Sequence, residues 1–188
     1  MQTNTNQINT TGFSGLKAAL KKIDCKAILT VGLYAATAAI IFLLRTSMVY
    51  ALKGWILMAI LFKASLDDIK KRECDDYLSV MILITALINT PLSNIPTMLF
   101  GGAIVFILQL VFSVARPGKY GGADMKISSA CAFLLGHYFF GLLALVIGQL
   151  TGAIANKITR CKNKSDDKRI PLVPYLSIGT FLAYLLVG

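Results

Sequence analysis

The feature that most constrains this chain is its rhythm of long apolar runs and short polar breaks. The runs fall at about residues 27–44, 48–66, 77–90, 96–115, 127–135, 138–155 and 171–187. A helix needs roughly 20 residues to cross a bilayer, with about 17 as a practical lower limit. Runs 77–90 and 127–135 are short by that measure, so the count stands at six to seven. With 56% hydrophobic and 15% charged residues among 188, the chain carries more apolar surface than one soluble core of this size can hide. The expected fold class is an all-α polytopic membrane protein with about seven transmembrane helices.

Charge sets the expected orientation. The net charge is +10, but the basic residues lie in the breaks between apolar runs and not on one continuous face. That pattern reads as membrane topology and contact with the lipid bilayer, with no nucleic acid partner. With seven spans and the N-terminus in the cytoplasm, all Lys and Arg except Arg45 and Lys53 fall on or near the cytoplasmic side. A single span over 127–155 would instead put the basic loop 156–170 outside. Residues 1–26 are expected to form a cytoplasmic tail, polar and disordered over 1–15 and a basic amphipathic surface helix over 16–26. Residues 27–188 form the transmembrane domain. The outward loops are too short to hold a binding domain, so the chemistry is expected at the cytoplasmic face.

Two acidic positions stand at that face, Asp67-Asp68 after the second run and Asp124 within Lys119-Tyr120-Gly121-Gly122-Ala123-Asp124-Met125-Lys126 before the fifth. Acidic residues beside membrane-length segments are costly and need a reason. Two carboxyl groups that share a proton can run aspartyl proteolysis: the ionised one activates water and the protonated one polarises the scissile carbonyl. Gly121 and Gly122 would let backbone approach a substrate strand, and Lys126 would snorkel to the surface. Each stretch also has a plainer reading. Gly-Gly-x-Asp serves as a loop and helix N-cap, and Asp67-Asp68 can balance Lys70, Lys71 and Arg72. Asp75 and Asp76 read as dipole partners at the start of the third helix.

Other chemistries lack their residues. His137 is expected in a loop at the opposite face, there is no HExxH and no C-x-x-C, and neither a metal site nor a cofactor is expected. The four cysteines, Cys25, Cys74, Cys131 and Cys161, read as ordinary small residues. The competing class is a non-enzymatic membrane component, either a small transporter or an assembly subunit of a secretion or pilus system. Transporters place ionisable groups near the midplane, often with internal repeats, whereas these acids stand at one face.

Three blocks in order carry a resemblance: Asp68-Ile69-Lys70-Lys71-Arg72-Glu73, Gly121-Gly122-Ala123-Asp124-Met125-Lys126, and Ile170-Pro171-Leu172-Val173-Pro174-Tyr175-Leu176. Together, over roughly residues 48–188, they resemble the type IV prepilin peptidases, especially the small forms of tight-adherence pilus systems. The resemblance implies Asp68 and Asp124 as the catalytic pair. It also implies pilin-like precursors as substrates, cut at a short basic leader, and a bacterial inner membrane location with the site facing the cytoplasm. It departs from the family at Ala123, where a glycine is usual, and at Cys74-Asp75-Asp76, where Ile-Pro-Asn is common. The cysteine-bearing domain of larger members has no counterpart, so a peptidase without methyltransferase activity is expected. The Pro171–Pro174 segment is expected either as an ordinary first helical turn or as an element packed beside the pair.

Overall fold

The computed structural model describes residues 25–44, 47–72, 74–115, 122–162 and 171–187. Seven α-helices occur among them: α1 (Cys25–Leu44), α2 (Met48–Lys71), α3 (Asp76–Leu87), α4 (Ile95–Ala115), α5 (Gly122–Leu135), α6 (Tyr138–Lys162) and α7 (Val173–Val187). A single 3-10 turn, Leu92–Asn94, precedes α4. The all-α expectation holds, and 127–155 is divided into two helices as the charge argument required. The expected tail and its surface helix lie outside the described residues except for Cys25 and Lys26.

The chain divides into two compact units, Met1–Thr37 and Ala38–Gly188. Of the first, the beginning of α1 is described, where Thr37 Oγ1 donates to the Tyr34 carbonyl at 2.8 Å. The second unit holds everything that follows. Three of its helical stretches, Met48–Lys71, Leu92–Ala115 and Tyr138–Ile158, are long and apolar enough to cross a membrane. Large apolar side chains such as Ile84, Leu99, Ile107 and Val111 face outward, a surface suited to lipid.

Helix ends follow local chemistry more closely than the apolar runs do. Helix α2 continues five residues past its apolar run, to Lys71, and stops at Arg72 in a left-handed conformation (φ 57°). Helix α3 ends early, at Leu87, before left-handed Asn89 (φ 50°) and Pro91. One of its last carbonyls is claimed from another helix. Lys53 Nζ donates to Ala86 O and Thr90 Oγ1, both at 2.9 Å, matching a cation to the negative end of a helix dipole. That contact explains why Lys53 departs from the expected charge pattern. Between α5 and α6, Gly136 takes φ +78°, which costs glycine nothing. His137 then starts α6, its carbonyl accepting Gly141 N–H at 3.2 Å and its Nδ1 accepting Phe139 N–H at 3.3 Å. His137 is thus a helix-capping residue at the end of α5 opposite Asp124.

Helix α5 is the axis, packing against α3, α4, α6 and α7, while α7 also packs on α2 and α6. Val105, Ala132, Leu145 and Leu176, one from each of α4 to α7, form a buried apolar cluster. Tyr184 Oη ties α7 to α2 by donating to the Tyr50 carbonyl at 2.5 Å. The α6–α7 contact is backbone against backbone: a Cβ on Gly179 would collide with the Ala144 carbonyl and lie 2.8 Å from Gly148 N. Small residues allow this approach, which drives helix association in lipid through dispersion contacts. Gly179→Ala is expected to lower stability by about 2 kcal/mol or more, read as a fall in the thermal unfolding midpoint in detergent. Gly32→Ala, where a Cβ meets nothing within 4 Å, is the control and is expected to leave the midpoint unchanged or slightly raised.

Candidate active site

Asp68 sits in the last turn of α2 and is buried. Its Oδ2 accepts the Val173 N–H at 3.0 Å, with the Leu172 N–H beside it. Backbone accounting shows why that donor is available. The first amides of a helix have no partner within the helix. In α7, Tyr175 N–H and Leu176 N–H both turn back to the Leu172 carbonyl at 3.1 Å, and Pro174 has no N–H. Val173 N–H is left over, and a carboxylate from α2 takes it. One turn deeper, the Ser65 and Ser177 hydroxyls meet at 3.0 Å. The Pro171–Pro174 segment therefore does pack beside one of the two candidate carboxylates.

Asp67 is also buried, but its partner is different. Its Oδ2 is ion-paired with Lys63, one turn back on the same helix. The two adjacent acids thus serve separate contacts, Asp67 within α2 and Asp68 across to α7.

Asp124 occupies the first turn of α5 and is half-buried. Gly122 opens that helix, and an added methyl there would meet no described atom within 4 Å, so packing among the described residues does not demand its small size. Lys119 and Gly121 lie outside the described residues. Lys126 reaches across to α3, where its Nζ bonds both carboxylate oxygens of Asp76 at 2.7 and 2.8 Å. Both side chains are at least half exposed, so the pair contributes about 1 kcal/mol at most. Its geometric effect is to hold the first turns of α3 and α5 together.

The two acidic stretches converge on Cys74, a residue that sequence reasoning set aside. Cys74 lies between α2 and α3, and its Sγ donates to the Ala64 carbonyl at 3.4 Å. Burial, followed by the negative charges of Asp68, Asp124, Asp67 and Asp75, pushes its thiol up to about 12. A single sulfur therefore lies within the fields of both Asp68 and Asp124, which come from helices more than fifty residues apart in sequence. Nothing in the local sequence marks Cys74. Its burial against the Ala64 carbonyl comes from tertiary packing alone. Among the described residues, no three His, Cys, Asp or Glu side chains gather as a metal site. What two carboxyl groups at one end of a helix bundle can do chemically is exchange protons with a bound molecule. Because the thiolate is the nucleophile, Cys74 is expected to alkylate with N-ethylmaleimide at pH 8 at least about a hundredfold more slowly in the folded protein than after unfolding in dodecyl sulfate. Peptide mass spectrometry reads the rate.

Comparison with known proteins bears on this geometry. Residues 55–156, which contain both Asp68 and Asp124, match the type IV leader peptidase family. The chain is also 31% identical over 109 residues to the prepilin leader peptidase/N-methyltransferase of Bacillus subtilis (strain 168). That match covers 55% of this chain and 42% of the relative, so the chain spans less than half of the relative's length. No solved structure matches. With more than half of its length in the family match, and with apolar helices throughout, this multi-pass membrane chain belongs to the type IV leader peptidase family.

Proposed function

We propose that this chain is a membrane aspartyl endopeptidase that cuts the short basic leader from pilin-like precursors at the cytoplasmic face of the inner membrane. What supports this reading is that Asp68 lies in the last turn of α2 and Asp124 in the first turn of α5, helix ends linked by the short α2–α3 connection and the Lys126–Asp76 pair. The family match and the relative's printed activity support the substrate class.

The chemistry follows from two carboxyl groups that share one proton. The ionised member takes a proton from water as the oxygen attacks the scissile carbonyl. The protonated member donates to the carbonyl oxygen. Collapse of the tetrahedral intermediate breaks the C–N bond, and the departing amine takes up a proton. No cofactor is required by this scheme. The precursor's apolar helix would lie in the bilayer and its basic leader in the cytoplasm, facing exposed Asp75 as well as the pair. The excess of Lys and Arg in the alternate breaks of the sequence supports this orientation.

Asparagine is the informative replacement at position 68, because its side-chain oxygen still accepts the Val173 N–H while its charge is gone. Asp68→Asn and Asp124→Asn are each expected to reduce leader cleavage by about a thousandfold or more with unchanged membrane abundance. The mobility of a co-expressed pilin precursor reads the outcome. Asp67→Asn is expected to keep most activity, since its loss frees Lys63 and leaves the α7 contact intact. Full processing by either of the first two variants would end the two-aspartate reading.

A further inference from the structure

One buried polar side chain plays no part in the chemistry above. Gln109, in the second half of α4, is 0% exposed, and among the described residues neither its Nε2 nor its Oε1 has a hydrogen-bond partner. An amide buried in this way loses its hydration with no compensation unless a bound molecule supplies the missing bonds.

Helical register shows what lies beside it. Helices α4 and α5 are antiparallel neighbours. Gly102 lies against Ser129 and Phe133, with Ser129 Oγ donating to the Gly102 carbonyl at 3.0 Å. Val105 packs with Ala132 of α5 and Leu145 of α6. One turn along α4 from Val105 is Gln109, and one turn back along α5 from Ala132 is Ser128, with Asp124 a turn beyond. Residues four apart share a face, so Gln109 is level with the Asp124–Ser128 turn. One turn along α6 from Leu145 brings Gln149 to the same layer. Ser128 is buried, and its hydroxyl donates to the Met125 carbonyl at 3.1 Å, which leaves its lone pairs to accept.

We propose that Gln109, Ser128 and Gln149 form an internal water site next to Asp124, with Gln109 as the residue that orders the water. A buried water makes about three hydrogen bonds to protein groups of this kind, and this layer offers a donor and acceptor on Gln109 and an acceptor on Ser128. The apolar cluster of Val105, Ala132, Leu145 and Leu176 closes the layer on its far side. A water held here lies one turn of α5 from Asp124. Its use rests on the two-aspartate reading: hydrolysis consumes one water per bond cut, and this site would supply it from inside the bundle. Gln109 is a positioning residue and does not itself touch the scissile bond.

The test uses the full-length protein in lipid nanodiscs with two readouts. The first is X-ray radiolytic labelling in ¹⁸O-water, which marks buried side chains adjoining a bound water. Label is expected at Met125 and Leu145 in the wild type and is expected to be lost in Gln109→Leu. The second is cleavage of a pilin precursor with a basic leader. Gln109→Leu is expected to lower kcat by about tenfold or more, the loss of one hydrogen bond at a charged site, with KM within about twofold. Gln109→Asn, which keeps the amide, is expected to restore kcat to at least about a third of wild type. Absence of label in the wild type overturns the proposal. So does a Gln109→Leu protein with unchanged kcat, and so does an Asn variant no better than Leu. If the wild type shows the label yet cuts no precursor, the peptidase reading fails while the water site stands.

Discussion

The bond from Val173 N–H to the Asp68 carboxylate is the contact on which the arrangement of this end of the molecule depends. It joins the last turn of one helix to the first turn of another, and it meets two needs together. The leftover amide of α7 gains an acceptor, and a buried negative charge faces the positive end of a helix dipole. The same α2–α7 seam continues through Ser65 and Ser177 and ends at Tyr50 and Tyr184. Asp68 is thereby held at a fixed depth by the seam's whole length. A candidate catalytic group that also docks a helix is constrained in position without any ligand present.

Around that seam, α5 supplies the second acid and most of the bundle's interior. Its first turn carries Asp124 and Lys126, its middle carries Ser128, and its last turns carry the apolar side chains of the core. Polarity therefore falls steadily along one helix from the site inward. Lys126 anchors the polar end to α3, while Ala132 holds the apolar end against α4, α6 and α7.

Much of this was legible in the sequence because lipid limits the available structures. Backbone polar groups in a bilayer must be paired within helices or closed barrels, so apolar runs of this length with short basic breaks leave little besides a helix bundle. The motif blocks then singled out Asp68 and Asp124 as candidates. Helix ends were less legible. The end of helix α3 is met by Lys53, more than thirty residues earlier, which donates to the Ala86 carbonyl, and no local pattern reports such a contact. The same holds for Cys74, which is hydrogen-bonded back to the Ala64 carbonyl of α2, and for Gln109, which reads in sequence as one polar residue in an otherwise apolar helix. These positions are set by which helix faces meet. The motif blocks revealed the acids but not what surrounds them.

The lengths of α3 and α5 carry a consequence for the surrounding membrane. With 12 and 14 residues, they extend about 18 and 21 Å, against roughly 30 Å of hydrocarbon in a typical bilayer. Helix α5 is enclosed by its neighbours, so lipid meets the shortfall at α3, whose outer face carries exposed Val80, Met81 and Ile84. Lipid beside that wall must thin, or headgroups and water must dip toward it. The α3 wall begins at Asp76, which Lys126 ties to the first turn of α5 beside Asp124. A local depression of the bilayer would thus open at the acidic end, where a charged segment joined to an apolar helix could approach without first being drawn through hydrocarbon.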